Sequence, residues 1–364
     1  MRLPRRRRAA PLRVEAPRAL LEWRRRGSAV PLEPRPAPPE RMRVAVVIPW
    51  YFEGSGGHST IANLVRGLEA RGHECSLWVE EDGAGSGDFE RFFGPVAGPV
   101  HHDFAAWDGA DVVVATGWQT VHRTLLLPGC GARAYLVQDH EPEFYGTSAE
   151  RTWAEQTYGL GLHCVCASPW LARLMRSRYG ASASAFDLGV RHDVYRPLGV
   201  PRRDDLVLLY ARAVTPRRAV PLGLLALEEV DAEVALFGEP RPLATRFAQR
   251  GVLPPHDLAR LYGEATVGVV LSMTNPSLVP TEMLACGLPV VDVASDAMVA
   301  TFGRDGPIVL AHFDPLAVAG AVNGLLADPG ERARRAAAGI ELVRGRTWEA
   351  AAAQVEAGLR AAFS

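Results

Sequence analysis

At 364 residues the chain is long enough for two domains of ordinary size, and its formal charge of −1 gives no general reason to expect nucleic-acid binding. No apolar run approaches the roughly 20 residues that cross a bilayer, and Arg5–Arg8 has no apolar stretch behind it of the kind a secretory signal carries. All forty basic residues are arginine, which excludes Walker-type, Schiff-base and catalytic lysines; an anionic ligand must be held by arginine, histidine or backbone amides.

Residues 1–41 are rich in Arg and Pro, with little apolar periodicity beyond Leu20, Leu21 and Trp23 beside Arg24–Arg26. They read as an N-terminal extension, disordered or loosely docked; the sharper reading is a short basic amphipathic patch in weak peripheral contact with an anionic membrane surface. Order is expected from Met42. Val44 to Ile48 is a continuous apolar strand, followed by Pro49-Trp50-Tyr51-Phe52 and Gly54-Ser55-Gly56-Gly57-His58. Ser59 to Ala70 has helical spacing, and Cys75 to Val79 is the next strand, closing on Glu80-Glu81. Strands over 111–115, 134–137 and 163–167 follow, the first two running into Gly117-Trp118-Gln119-Thr120 and Gln138-Asp139-His140-Glu141 and the third preceding a helix over 169–179. Polar and aromatic residues therefore gather just after strand C-termini, where open α/β sheets bind ligands. Five cysteines, odd in number and without metal-ligand spacing, read as reduced thiols of a cytoplasmic protein.

Near Tyr195-Arg196-Pro197-Leu198 the pattern resets. Leu206 to Tyr210 is a new first strand, ahead of the loop Ala211 to Arg218; a helix over 220–227, a strand over 233–237, a helix over 258–264 and a strand over 267–271 come next. Ser277 is a candidate N-cap for a helix from Leu278 to Ala285, with Pro280 in its first turn and Cys286-Gly287 as its stop. Buried strands over 288–293 and 308–310 and two Ala-rich helices finish the chain. The whole reads as two doubly wound α/β domains in series.

Four places have the residues for chemistry. Gly54-x-Gly56 with Glu80 or Glu81 some twenty residues on half-matches a dinucleotide fingerprint, although Ser59 occupies the third glycine position. Arg212 with Arg217 (or Arg218) suits a diphosphate at a strand C-terminus. Glu282, on a helix whose first amides face a loop, suits a ribose beside a phosphate. His140 in its polar cluster fits a general base, a sugar contact or a capped loop equally.

Together these residues resemble glycosyltransferase family 4, of the two-Rossmann GT-B kind, over nearly the whole chain from Met42. The strand before Gly56-Gly57-His58 is similar to the family's Gly-rich donor loop, Arg212 and Arg217 to its phosphate-binding Arg and Lys, and Ala285-Cys286-Gly287-Leu288-Pro289-Val290-Val291 to its Ala-Cys-Gly-x-Pro-Val-Val segment. Gly189-Val190 to Tyr195-Arg196-Pro197 is similar to its interdomain linker, and Thr347-Trp348 to the start of its returning helix. The resemblance implies two Rossmann-like domains facing across a cleft: an acceptor-side domain over 42–197, a donor domain over 198–346, and a helix over 347–364 crossing back. It implies a retaining, metal-independent, bacterial transferase using a nucleotide-sugar and no resident cofactor. Gly56, Gly57, Arg212, Arg217, Thr274, Asn275, Ser277, Leu278, Val279 and Glu282 would hold the donor. Asp139 and His140 would flank the reacting sugar beside Arg212, and Trp50, Tyr51, His58 and Trp118 would shape the site for a glycan or natural-product acceptor. Where the family pattern has Glu, seven residues, then Glu, this chain has Thr274 and Glu282, so one carboxylate is missing. Gln138 to Glu141 with Thr274 to Pro280 looks closest to bacterial rhamnosyltransferases taking dTDP-rhamnose. The rivals are a dinucleotide-dependent oxidoreductase resting on Gly54 and Glu80, and a non-catalytic partner subunit that keeps the fold.

Overall fold

The computed structural model describes residues 17–35, 37–80 and 89–363. After helix α1 (Arg18–Arg26) the first domain runs β1 (Arg43–Ile48), α2 (Gly56–Ala70), β2 (Glu74–Val79), α3 (Phe89–Phe93), β3 (Val100–His101), β4 (Ala110–Ala115), α4 (Trp118–Leu126), β5 (Cys130–Val137), α5 (Ala149–Thr157), β6 (His163–Cys166), α6 (Pro169–Tyr179) and β7 (Ala183–Ala185). The second runs β8 (Leu206–Tyr210), α7 (Val220–Leu227), β9 (Glu233–Phe237), β10 (Ala248–Gln249), α8 (Pro255–Glu264), β11 (Val267–Val269), α9 (Leu278–Ala285), β12 (Val290–Val293), α10 (Asp296–Phe302), β13 (Ile308–Ala311), α11 (Pro315–Ala327) and α12 (Pro329–Val343). Helix α13 (Trp348–Ala361) ends the described chain.

Each domain holds one parallel sheet, ordered β3-β2-β1-β4-β5-β6-β7 and β10-β9-β8-β11-β12-β13. The central strands are apolar on both faces because helices cover both: Val44, Val47 and Ile48 of β1 and Val207, Leu208 and Leu209 of β8 are sealed from solvent. In each sheet the order reverses beside the first strand, between β1 and β4 and between β8 and β11, so the crevice lies at the C-terminal ends of those four strands. Local punctuation fixes the element ends. Ser55 caps α2 by accepting from the His58 N–H at 3.4 Å, which starts the helix three residues before its apolar periodicity. Ser168 caps α6 by accepting from the Leu171 N–H at 3.1 Å, and Gly180, at φ 64°, stops it.

Chain crossings join the domains twice. The Val190 N–H donates to the Arg346 carbonyl at 2.8 Å, tying the outgoing strand to the returning one. Gly189 lies so close to Trp348 that a Cβ there would meet its backbone nitrogen at 2.7 Å. Helix α13 then packs on α2, β6 and β7, with Gly67 and Gly358 providing the close approach.

Two expectations are corrected. Three helices, not two, follow β13, because Asp328-Pro329 breaks the Ala-rich run: the Asp328 side chain accepts from the Glu331 N–H at 2.9 Å and starts α12. Residues 17–35 are docked along the first domain. The Val30 N–H donates to the Leu125 carbonyl and the Glu33 N–H to the Cys130 carbonyl, each at 2.8 Å, while Trp23 meets His122 with ring centroids 5.3 Å apart. Backbone pairing of this kind leaves no apolar period for composition to reveal. Residues 1–16, part of the same expected extension, lie outside the described residues.

Candidate active site

The second domain contributes three groups to the crevice. Arg212, half-buried after β8, makes one long hydrogen bond, from Nη1 to the Gly238 carbonyl at 3.4 Å, so most of its donor capacity is uncommitted. Helix α9 begins where expected, with Ser277 in the N-cap position, yet the Ser277 hydroxyl caps nothing and its Oγ has no hydrogen-bond partner. The first-turn amides of Leu278 and Val279 thus meet no side-chain cap, at the positive end of the helix. One turn on, Glu282 hydrogen-bonds Tyr195 of the interdomain linker and feels the Arg191 charge. Burial dominates both, pushing its carboxyl up from the ordinary 4.5 to about 7. The neighbouring Tyr262 hydroxyl is buried without a hydrogen-bond partner.

Where the domains meet, Asp139, just after β5, is 6 % exposed and surrounded by donors. Its Oδ1 accepts from the His140 N–H at 2.9 Å and the Asn275 N–H at 3.0 Å; its Oδ2 accepts from Thr274 Oγ1 at 3.0 Å and lies 3.1 Å from Arg217 Nε. Three of these four donors belong to the other domain. Asn275, 1 % exposed, is equally committed: Nδ2 donates to the Gln138 and Ala167 carbonyls at 3.1 and 3.3 Å, and Oδ1 accepts from Ser168 Oγ at 2.7 Å. The Arg217 guanidinium lies 3.9 Å from the Phe144 ring centroid, a further contact across the junction. The Met273 N–H donates to the Arg217 carbonyl at 3.1 Å, joining the two donor-domain loops before they cross.

This arrangement alters several expected roles. Asp139 and Thr274 face each other, and neither presents a free atom to the cleft. His140 is 1 % exposed, with Nε2 2.7 Å from the Tyr179 hydroxyl, Nδ1 3.1 Å from Glu143 and its ring stacked on Tyr158, so the flanking role expected for it is replaced by a structural one in this conformation. Trp118 is fully buried: its indole N–H donates to the Tyr145 hydroxyl at 3.0 Å and its backbone N–H to Glu141 at 2.7 Å, leaving no ring face for a sugar. Arg218 is buried too, with Nη1 unbonded, near the Asp292 carboxyl, which burial pushes up to about 7. That leaves Arg212 as the free cation of this loop and Arg217 as its shared one.

The first domain supplies an aromatic rim. Gly56 and Gly57 form the first turn of α2, and Gln138 lies 3.6 Å from where a Gly57 Cβ would stand. Trp50 is half-buried, and Tyr51 packs edge-on against Phe89, Phe92 and Phe93. His58 sits between Phe52 and Phe93, and burial lowers its imidazole to about 4, so it is neutral at pH 7. Glu80 forms a two-oxygen pair with Arg123 Nε at 3.0 and 3.2 Å and is not open to a dinucleotide ribose; Glu81 lies outside the described residues. Ser168, Tyr195 and Phe144 join the site unannounced. Ser168 is visible in sequence only as a helix cap and Tyr195 only as part of the linker, and nothing local marks Phe144.

Two consequences are measurable. Asp139→Ala strips Arg217, Thr274 and the Asn275 amide of their shared acceptor. We expect a loss of about 3 kcal/mol in urea unfolding, the low end for a broken buried pair because Arg217 is partly exposed, together with a larger radius of gyration by small-angle scattering. Unchanged values of both would contradict the clasp. For Glu282, the folded protein between about pH 4.5 and about 7 keeps a proton that the unfolded chain has released, so folding is increasingly penalised as pH rises through that window. Glu282→Gln removes the penalty and should gain about 2–4 °C in Tm over wild type at pH 8 and little at pH 4.5; a pH-independent difference would refute the buried carboxyl.

Residues 205–321 match the family described as WsaF, C-terminal domain. The chain is 31 % identical over 272 residues to the O-antigen biosynthesis protein RfbC of Myxococcus xanthus, an alignment covering 71 % of this chain and 21 % of that protein. It is 31 % identical over 214 residues to the D-inositol 3-phosphate glycosyltransferase of Frankia alni, covering 48 % of this chain and 52 % of that one. The chain thus spans about a fifth of the first relative and about half of the second. Among solved structures, sucrose-phosphate synthase from Thermosynechococcus elongatus superposes with a TM-score of 0.70 at 18 % identity, covering 89 % of this chain and 99 % of that one. Anabaena HepE in complex with UDP-glucose does so with a TM-score of 0.67 at 14 % identity, covering 88 % and 100 %. Two parallel sheets facing across a crevice, with the last helix returned to the first domain, give this chain the two-Rossmann GT-B fold.

Proposed function

We propose that the protein is a retaining, metal-independent glycosyltransferase that moves a sugar from a nucleoside-diphosphate donor to a hydroxyl of a glycan or natural product. The observation that carries this reading is the grouping, on the second domain's strand ends, of the uncommitted Arg212 guanidinium, the uncapped first turn of α9 and Glu282 one turn further along. A nucleoside diphosphate needs those three things: a cation for charge that grows as the leaving group departs, amides for phosphate oxygens and a carboxyl for ribose hydroxyls.

In the proposed reaction the acceptor oxygen bonds the anomeric carbon from the face the diphosphate leaves. The anomeric carbon–oxygen bond breaks, and the acceptor proton passes to the departing phosphate oxygen. No side-chain nucleophile is needed. Arg212 carries the electrostatic work that a divalent cation would otherwise share, with the amides of Leu278 and Val279 beside it. Arg217 can join only by exchanging Asp139 for phosphate. Gly56 and Gly57 would bring backbone to the donor from the opposite wall, with Trp50, Tyr51 and the neutral His58 lining the acceptor side. Support comes from the domain match at 205–321 and from a structural relative seen with UDP-glucose. The likeness of Thr274–Pro280 to rhamnosyltransferases makes dTDP-rhamnose the first donor to try.

The test is a thermal-shift panel of nucleoside diphosphates and nucleotide-sugars with NAD(P), followed by incubation with donor and candidate acceptors and mass spectrometry. Stabilisation by dTDP or UDP but not NAD(P), with sugar transferred, supports the reading; NAD(P) binding overturns it, and donor binding without any transfer or hydrolysis points to the partner-subunit alternative. Arg212→Ala should lower kcat/KM by about 2–4 kcal/mol, and Glu282→Ala should raise the donor KM strongly. Wild-type kinetics in either variant would remove that residue from the site.

A further inference from the structure

Charge in this chain is unevenly placed. Residues 1–26 contain ten of its forty arginines and two of its forty-one acids, a net +8, so the remaining residues carry −9. Within the described residues this charge is displayed by α1, which is held on the first domain by one face. Ala19 is sealed and Trp23 is half-buried against His122 of α4; Arg24 reaches Gln156 of α5 at 3.3 Å. At 100° per residue, Arg18, Leu21, Glu22 and Arg25 fall together on the opposite face, and all four are exposed. Glu22 is paired with Arg123 at 3.5 Å, whereas Arg18, Arg25 and Arg26 meet no acidic side chain among the described residues.

The helix dipole accounts for part of this and not the rest. Arg24, Arg25 and Arg26 in the last turn are where a helix favours cations. Arg18 is at the first helical position, where a cation is disfavoured, with no acid in the first turn and no side-chain cap from Pro17. Leu21, 51 % exposed with Arg18, Arg24 and Arg25 at i−3, i+3 and i+4, packs on no hydrophobic cluster among the described residues. Cations around a lone aliphatic side chain fit a surface that is anionic outside and apolar just beneath. A nucleic-acid strand would use aromatic stacking, and the helix's one aromatic ring, Trp23, is turned inward.

We propose that the outer face of α1 docks the first domain on an anionic lipid bilayer, with Arg18 and Arg25 at the headgroups and Leu21 at the acyl boundary. The acceptor-side wall of the crevice is thereby held at the membrane surface. Among the described residues no helix is long and apolar enough to cross a bilayer, so the attachment is peripheral and released by salt.

Deleting the segment would also strip its contacts with α4 and β5, so point variants of the full chain are the sharper test. Co-sedimentation is measured with vesicles of phosphatidylcholine alone and with a quarter phosphatidylglycerol, at low and high salt. Wild type should pellet only with the anionic vesicles and only at low salt. Arg18→Glu with Arg25→Glu should reduce partitioning about tenfold or more, and Leu21→Ser should reduce it a few-fold at unchanged charge, both with wild-type circular dichroism and Tm. Equal binding to neutral vesicles, or undiminished binding by the charge-reversed variant, would overturn the proposal. So would indifference to vesicles with salt-sensitive, variant-sensitive binding of a labelled single-stranded oligonucleotide, which would reassign the face to nucleic acid.

Discussion

The buried carboxylate of Asp139 holds the architecture together at its weakest point. Two independently cored α/β domains have no reason to adopt one relative orientation unless something at the junction rewards it. A carboxylate taken out of water must be compensated, and here the Asn275 amide, the Thr274 hydroxyl and the Arg217 guanidinium all come from the opposite domain. Satisfying the charge and closing the crevice are therefore one event. Asn275 repeats the logic without charge: its side chain is bonded at both ends to first-domain groups, so withdrawing it would leave buried polar atoms on each side.

The clasp also divides labour between neighbouring arginines. Arg217 and Arg218 lie in one turn that ends at Ala219, whose φ of 41° puts a non-glycine residue in the left-handed region, the one such case among the described residues. Arg217 is spent on the junction and Arg218 on the interior of the second domain, and Arg212 is left with most of its donors uncommitted. A donor that draws Arg217 away from Asp139 must supply phosphate oxygens in exchange. Donor binding and domain geometry would then be coupled through that one guanidinium.

Sequence made some of this legible and hid the rest for identifiable reasons. Helix α9 was readable to the residue because Pro280 in its first turn and Gly287 past its end mark it, although Ser277 holds the N-cap position without capping, and β8, α6 and α7 were readable because apolar period and punctuation agree. The two-domain order followed from the reset near residue 197. Asp139's partners in the other domain were not readable: Thr274 and Asn275 lie 135 and 136 residues away and Arg217 is distant too, and polar contacts at a junction have no period. Trp118 misled because an aromatic after a strand suggests an exposed platform, and only Glu141 and Tyr145, folded over it, show otherwise. Residues 17–35 misled in the opposite direction, their order resting on backbone hydrogen bonds, one tryptophan and polar contacts to distant residues such as Arg123 and Arg133.

The central claim is that the crevice holds a nucleoside diphosphate on the second domain's strand ends. A crystal structure of the protein soaked with dTDP or UDP tests it directly. The diphosphate should lie between Arg212 and the amides of Leu278 and Val279, with the ribose on Glu282. A nucleotide seated instead on the Gly54–Gly57 turn of the first domain, with Arg212 and Glu282 untouched, would contradict it.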